Sequence, residues 1–157
     1  MTNVAITSVD AKHILTKCSE VEETVAILYR YFSRLHLGDK EISALFFKTA
    51  LEEDEHANQF KLAYRLHGAG MKSIRTDQQS VDAILNKLKS LYETVQKKSP
   101  SVKEALNIAI NVESSLSEYH MNSIVVFEDP SLSKLFTSMR KNDELHVEML
   151  QEALESL

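Results

Sequence analysis

Two short stretches hold residues that could do chemistry together. Residues 51–60 read LEEDEHANQF and residues 141–150 read KNDELHVEML. Each places a carboxylate three residues ahead of a histidine: Glu53 with His56, and Asp143 with His146. At about 100° per residue, positions three apart share one face of a helix, so each pair would present an oxygen donor beside an imidazole nitrogen. That mixture of ligands suits Fe, Mn or Zn, and sequence does not separate these metals. Taken alone, either pair could equally face solvent or form a hydrogen-bonded pair in a core.

The elements that must position these residues decide between those readings. In the helix containing Glu53, a stripe of Ile42, Leu45, Phe46, Thr49, Phe60 and Ala63 has Glu53 and His56 in its middle, while Glu52, Asp54 and Glu55 fall off it toward water. The last helix repeats the pattern: Leu132, Leu135, Phe136, Met139, Leu150, Ala153 and Leu154 flank Asp143 and His146, and Glu144 and Glu148 lie outside. A third stripe of Leu106, Ala109, Ile110, Leu116, Ile124 and Phe127 includes Glu113 and His120. The first helix is broader. Leu15, Cys18, Val25, Ala26 and Tyr29 share a side with Glu22, but Val21, Leu28 and Phe32 shift the apolar centre away, leaving Glu20 and Glu23 as substitutes for Glu22. A buried carboxylate is costly unless it is paired, protonated or bound to a cation. Lys and Arg are scarce on these stripes near the acids, so a cation is the economical partner.

Punctuation along the chain sets the helix bounds. A first helix is expected over about 9–37, with Gly38 as its stop and Asp39 as the cap of a second helix over about 40–67. Gly68 and Gly70 end that helix, and a loop is expected over 71–75. An amphipathic helix over about 77–97 carries Val81, Ile84, Leu85, Leu88, Leu91, Tyr92 and Val95 on one side; it reads as a crossover covering the core, or as a dimer face. Ser99 and Pro100 break it, Ser101 with Glu104 forms a capping box, and a helix to about 127 follows. Asp129 and Pro130 then start the last helix. The expected fold is all-α: one domain over residues 1–157, an antiparallel four-helix bundle of two helical hairpins with an additional crossover helix.

Composition agrees and narrows the function. Three Gly and two Pro are too few for a turn-rich β protein. A formal net charge of −5 gives no electrostatic case for nucleic acid. The one cysteine, Cys18, allows neither an internal disulfide nor a CxxC metal site and reads as a small buried apolar residue. No stretch approaches the ~18 apolar residues of a membrane span, and no basic start leads into an apolar run, so a cytoplasmic location without membrane partners is expected.

The polar positions also agree in depth. Glu22 lies 16 residues before Gly38 and Glu53 lies 15 after it; Glu113 lies 16 before Asp129 and Asp143 lies 14 after it. At ~1.5 Å per residue, all four would sit roughly 22 Å from their hairpin turns. An offset of 91 maps Leu15 onto Leu106, Cys18 onto Ala109, Glu22 onto Glu113 and Tyr29 onto His120, and an offset of 90 maps Glu53 onto Asp143. This is the pattern of two hairpins related by a pseudo-twofold axis.

These residues resemble the ferritin-like superfamily, and within it the rubrerythrin-like branch. EDEHA in the second helix and DELHV in the last look like that family's two ExxH motifs, and Glu22 and Glu113 match its two lone glutamates. The resemblance spans roughly residues 10–155. It implies a dinuclear centre held by Glu22, Glu53, His56, Glu113, Asp143 and His146. Glu53 and Asp143 would bridge, and Glu22 and Glu113 would each serve one metal beside a histidine. Three departures stand out. Asp143 replaces the usual Glu, and its shorter arm could alter bridging. Leu116 stands where rubrerythrins commonly carry a further Glu, which weakens the case for their peroxidase chemistry. A rubredoxin domain cannot be built from Cys18 alone, so electrons would come from an external donor or from the iron itself.

Four carboxylates, two divalent cations and two neutral imidazoles balance in charge, which favours two metal ions over one. The implied cofactor is a pair of Fe ions, with Mn or Zn as alternatives. The implied function is a redox enzyme that oxidises Fe(II) or reduces peroxide or dioxygen, acting as a homodimer. An iron-storage protein and a non-catalytic helical interaction module are the competing readings. Tyr29 reads as packing, or as a route for electrons. His120 reads as a core histidine, or as an outer partner of the site. His13, His36 and His67 read as surface or helix-end residues.

Overall fold

The computed structural model describes residues 8–66, 71–74, 78–121, 125–127 and 130–157. Five helices account for almost all of it: α1 (Ser8–Leu35), α2 (Lys40–Arg65), α3 (Gln78–Lys97), α4 (Val102–Met121) and α5 (Pro130–Glu155). Among the described residues, no helix is long and apolar enough to cross a membrane.

The expected caps form. The Asp39 carboxylate accepts from the Ile42 N–H at 3.1 Å. The Ser101 hydroxyl accepts from the Glu104 N–H at 3.2 Å while the Glu104 carboxylate accepts from the Ser101 N–H at 2.8 Å, a complete capping box. Gly38 plays a smaller part than expected. A side chain there would meet nothing within 4 Å, and the turn is closed by the Asp39 N–H donating to the His36 carbonyl. Gly68, Gly70, His67, Asp77, Ile124 and the Asp129 cap lie outside the described residues, as do the side chains of His120, Leu132, Leu135, Phe136 and Phe127.

Two expectations are corrected by a small ribbon. Residues 71–75 are read above as loop and α4 as reaching 127. Instead β1 (Met71–Ile74) pairs antiparallel with β2 (Val125–Phe127), with Ile74 opposite Val125, Ser73 opposite Val126 and Met71 opposite Phe127. Val125, Val126 and Phe127 are β-branched or aromatic and suit a pleated strand better than a helix end. The pairing joins the segment after α2 to the segment after α4, a contact between distant parts of the chain that helical periodicity does not register.

α1 packs chiefly along α2 and α4 along α5, with narrower contacts between α2 and α5 and between α1 and α4. Three pairings show that α1 and α2 run antiparallel: Ser33 with Ser43, Arg30 with Asp54 and Glu23 with Lys61. The Ser33 and Ser43 hydroxyls each donate to the other residue's carbonyl at 2.8 Å, which draws the two backbones close near the turn. α3 lies on α1. Val81, Leu85, Leu88 and Val95 are buried in the common core, and the Tyr31 hydroxyl donates to the Val95 carbonyl at 3.1 Å. The 77–97 stripe therefore covers α1 within the chain. This also explains the broad apolar surface of α1: Val21, Leu28 and Phe32 are buried as fully as Leu15, Cys18 and Tyr29, because α2, α3 and α4 all contact it.

Candidate metal centre

All six positions singled out in the sequence are inside the protein. Glu22 on α1, Glu53 and His56 on α2, Glu113 on α4, and Asp143 and His146 on α5 are each at most 2% exposed. The helical stripes explain why: these residues continue the apolar faces on which the helices pack. Of the three acids left open in α1, Glu22 is the buried one. Glu20 pairs with Lys17 at 3.3 Å on the partly exposed side, and Glu23 pairs with Lys61.

The six side chains converge as two overlapping sets. Glu53, Glu113, Asp143 and His146 offer ligand atoms that all lie within 4.8 Å of one another, and so do Glu22, Glu53 and His56. Glu53 belongs to both. Its Oε1 lies 3.1 Å from His146 Nδ1 and its Oε2 lies 3.3 Å from His56 Nδ1. The imidazole ring centroids lie 6.2 Å apart with the planes inclined by 29°, and Glu53 addresses both. Asp143 also reaches beyond its own set, with Oδ1 at 3.7 Å from His56 Nδ1. Its shorter arm thus still reaches both histidines' neighbourhoods. His13 and His36 join neither set.

Two supporting residues were not placed by sequence. Glu52 reads above as facing water, yet its carboxylate contacts His146 Nε2 while Lys48 lies 3.9 Å from its other oxygen. The side chain is 34% exposed, so it links solvent to the buried cluster. The available signal was its place one residue, about 100°, from Glu53: the edge of the stripe, where a long side chain reaches the neighbouring helix. Tyr29 reads above as packing or as a route for electrons; its hydroxyl donates to Glu113 Oε1 at 2.8 Å. Nothing in the helical pattern of α1 identifies a partner on α4. Leu116, one turn beyond Glu113, is buried and apolar.

Four buried carboxylates against two imidazoles leave an excess of negative charge even when both rings are protonated. Without a metal, protons meet part of that demand. Burial alone would lower the histidines, but the hydrogen-bonded, negatively charged Glu53 raises His56 to about 9. Glu113 and Glu53 overcome the same burial effect to raise His146 to about 11. Burial, reinforced by the charge on Glu53, pushes Glu113 up to about 8. Glu53 moves the other way: burial opposes ionisation, yet the contacts with His146 and His56 hold it well below the usual carboxylate range. Burial and then the Glu113 charge raise Tyr29 well above its usual value, so its hydroxyl stays a proton donor.

The donor set fits divalent transition metals. Carboxylate oxygens and imidazole nitrogens are the ligands such ions take, and a cation in each set would replace the protons that now occupy the cluster. The Glu52 contact matters here. A carboxylate at Nε2 holds the ring proton there and leaves Nδ1 directed at Glu53 and Glu113.

Compared with family models, with curated proteins and with solved structures, the chain matches none of them.

Proposed function

We propose that this chain is a ferritin-like dinuclear metal protein. In this reading α1, α2, α4 and α5 form an antiparallel four-helix bundle around two divalent cations, with α3 as the crossover cover. Glu22 and His56 would serve one ion, Glu113 and His146 the other, with Glu53 and Asp143 shared. The observation that carries the reading is the position of Glu53, fully buried with one oxygen toward each histidine, where the two ligand sets overlap. The chemistry such a centre would supply, if loaded with a pair of ferrous ions, is the two electrons that with two protons turn hydrogen peroxide into two waters or dioxygen into hydrogen peroxide.

The chain's own residues would do the remaining work. Tyr29 fixes Glu113 by donating to Oε1, leaving Oε2 toward His146 Nδ1. Glu52 orients the His146 ring from Nε2. Helix burial removes bulk water from the six ligands, which strengthens every charge interaction among them. We place the protein in the cytoplasm as a homodimer that draws electrons from an external donor when it turns over.

Anaerobic loading with two equivalents of Fe(II) per chain, followed by hydrogen peroxide or air, tests this function. The expected result is oxidation faster than that of Fe(II) in buffer, lost in Glu53→Gln. Oxidation no faster than in buffer would count against a redox role, and absence of bound iron would return the cluster to a purely structural polar network.

A further inference from the structure

Resting on that reading, we propose that Tyr29, Tyr31 and Tyr92, bridged by Phe46 and Phe32, carry a one-electron oxidising equivalent from the buried centre to the protein surface beside α3.

The rings form one continuous series. Tyr29 starts it, with its hydroxyl donating to Glu113 Oε1 at 2.8 Å. Between ring centroids, Tyr29 lies 6.0 Å from Phe46, Phe46 lies 5.2 Å from Phe32, and Phe32 lies 6.1 Å from Tyr31. Tyr31 then meets Tyr92 of α3 edge-on at 5.9 Å. Each separation is that of rings in contact. Tyr29, Phe32 and Phe46 are fully buried, whereas Tyr31 and Tyr92 are only partly covered. The Tyr31 hydroxyl reaches the Val95 carbonyl and the Ser99 hydroxyl, both at 3.1 Å, near the end of α3. The series begins at the hydrogen-bond partner of a ligand and ends at phenols that solvent reaches.

The two kinds of ring have different tasks. A phenol gives up an electron together with its proton far more readily than a benzene ring does, so an electron hole rests on the tyrosines. The phenylalanines hold no hole. Their packed rings are the medium across which an electron passes from Tyr31 to Tyr29.

Electron counting gives the path its use. A pair of ferrous ions reduces peroxide by two electrons, but a chain holding one ferrous ion gives only one. The O–O bond then breaks to hydroxide and a hydroxyl radical, and the ion becomes ferric. The radical takes an electron from Tyr29 and becomes hydroxide, while the phenol proton crosses the hydrogen bond to Glu113. An electron from Tyr31 restores Tyr29, whose proton returns from Glu113. Tyr31 or its neighbour Tyr92 now holds the hole, its own proton lost to water. A hydrogen atom from a small reductant in solution, such as ascorbate, ends the sequence. The oxidising equivalent leaves the core without attacking a ligand side chain.

Metal-free protein loaded anaerobically with one equivalent of Fe(II) per chain tests the path. The sample is desalted, assayed for iron and mixed with hydrogen peroxide and a nitroso spin trap, and peptide mass spectrometry locates the adducts. They should concentrate on Tyr31 and Tyr92. They should spare Tyr64, which is 40% exposed, more open than either, and outside the series. Per iron bound, Tyr29→Phe should lose the adducts on Tyr31 and Tyr92, and Tyr31→Phe should lose the adduct on Tyr92. Circular dichroism checks that each variant folds; if one does not, the wild-type distribution decides. With iron bound, three results would overturn the path alone: no tyrosine adduct, adducts on Tyr64 at the level of Tyr31 and Tyr92, or adducts undiminished in Tyr29→Phe. Wild type that binds no iron would overturn the metal reading, and the path with it.

Discussion

Tyr29, Phe32 and Phe46 meet between α1 and α2, with ring centroids 6.0 Å apart for Tyr29 and Phe46 and 5.2 Å apart for Phe32 and Phe46. Seven residues along the same helices from Tyr29 and Phe46 stand Glu22 and Glu53, equally buried. The aromatic layer is stable by fit alone, because its rings exclude water and touch one another. The polar cluster is not: its negative charge must be met by protons or by cations. Tyr29 belongs to both regions, with its ring in the aromatic layer and its hydroxyl on Glu113. One packing geometry therefore supports a rigid layer indifferent to solution conditions beside a cluster whose energy depends on pH and on ions.

Emptying the aromatic layer gives the largest expected effect. Phe46→Ala should cost about 3–5 kcal/mol by denaturant unfolding, with and without divalent ions present. A cost that appears only in the absence of metal would mean that Phe46 belongs energetically to the cluster, and the contrast between the regions would fail.

A pH series sharpens the contrast next. His56 and His146 titrate at about 9 and about 11 in the folded chain, above an ordinary value of 6.5. Their stabilisation is complete below about pH 6.5 and is lost as pH rises through the folded values. Glu113, raised from 4.5 to about 8, acts in the same direction over its own interval. Glu53 is depressed and works oppositely: its contribution is present above about 4.5 and lost as pH falls through its folded value. The metal-free protein should therefore melt at progressively lower temperature from pH 6.5 to 9, losing about 1.4 kcal/mol per pH unit for each extra proton held by the native state. Saturating divalent metal should flatten that fall, because metal and protons compete for the same atoms. A melting temperature that holds steady over this interval without metal would contradict the proton bookkeeping.

The surface of the α1–α2 hairpin supplies the smallest effect. Arg30, in the last quarter of α1, pairs with Asp54, about halfway along α2, partly in water. Arg30→Ala should cost no more than about 1 kcal/mol and leave metal binding unchanged. A larger loss, measured by thermal melting, would show that the hairpin register depends on this pair rather than on the core.

Most of the buried ionisable positions could be read from the sequence, for a physical reason. A helix repeats every 3.6 residues, so a buried charge betrays itself by interrupting an apolar stripe, as Glu53, His56, Glu113, Asp143 and His146 all do. Glu22 was ambiguous because α1 is covered on several sides, and a stripe that wide no longer has a single centre. Residues that act across helices left weaker traces. Glu52 reaches from the edge of α2 to α5, and Tyr29 reaches from α1 to α4. The β1–β2 ribbon likewise depends on two segments some fifty residues apart, and local periodicity carries no information about which segments meet.

The central claim is that the four buried carboxylates and two histidines are there to hold two cations. Elemental analysis of the protein purified without chelator, then after equilibration with excess divalent metal and desalting, tests it most directly. The account predicts close to two transition-metal ions per chain, falling to at most one in Glu53→Gln. A folded wild-type protein that retains no metal after that equilibration would contradict it.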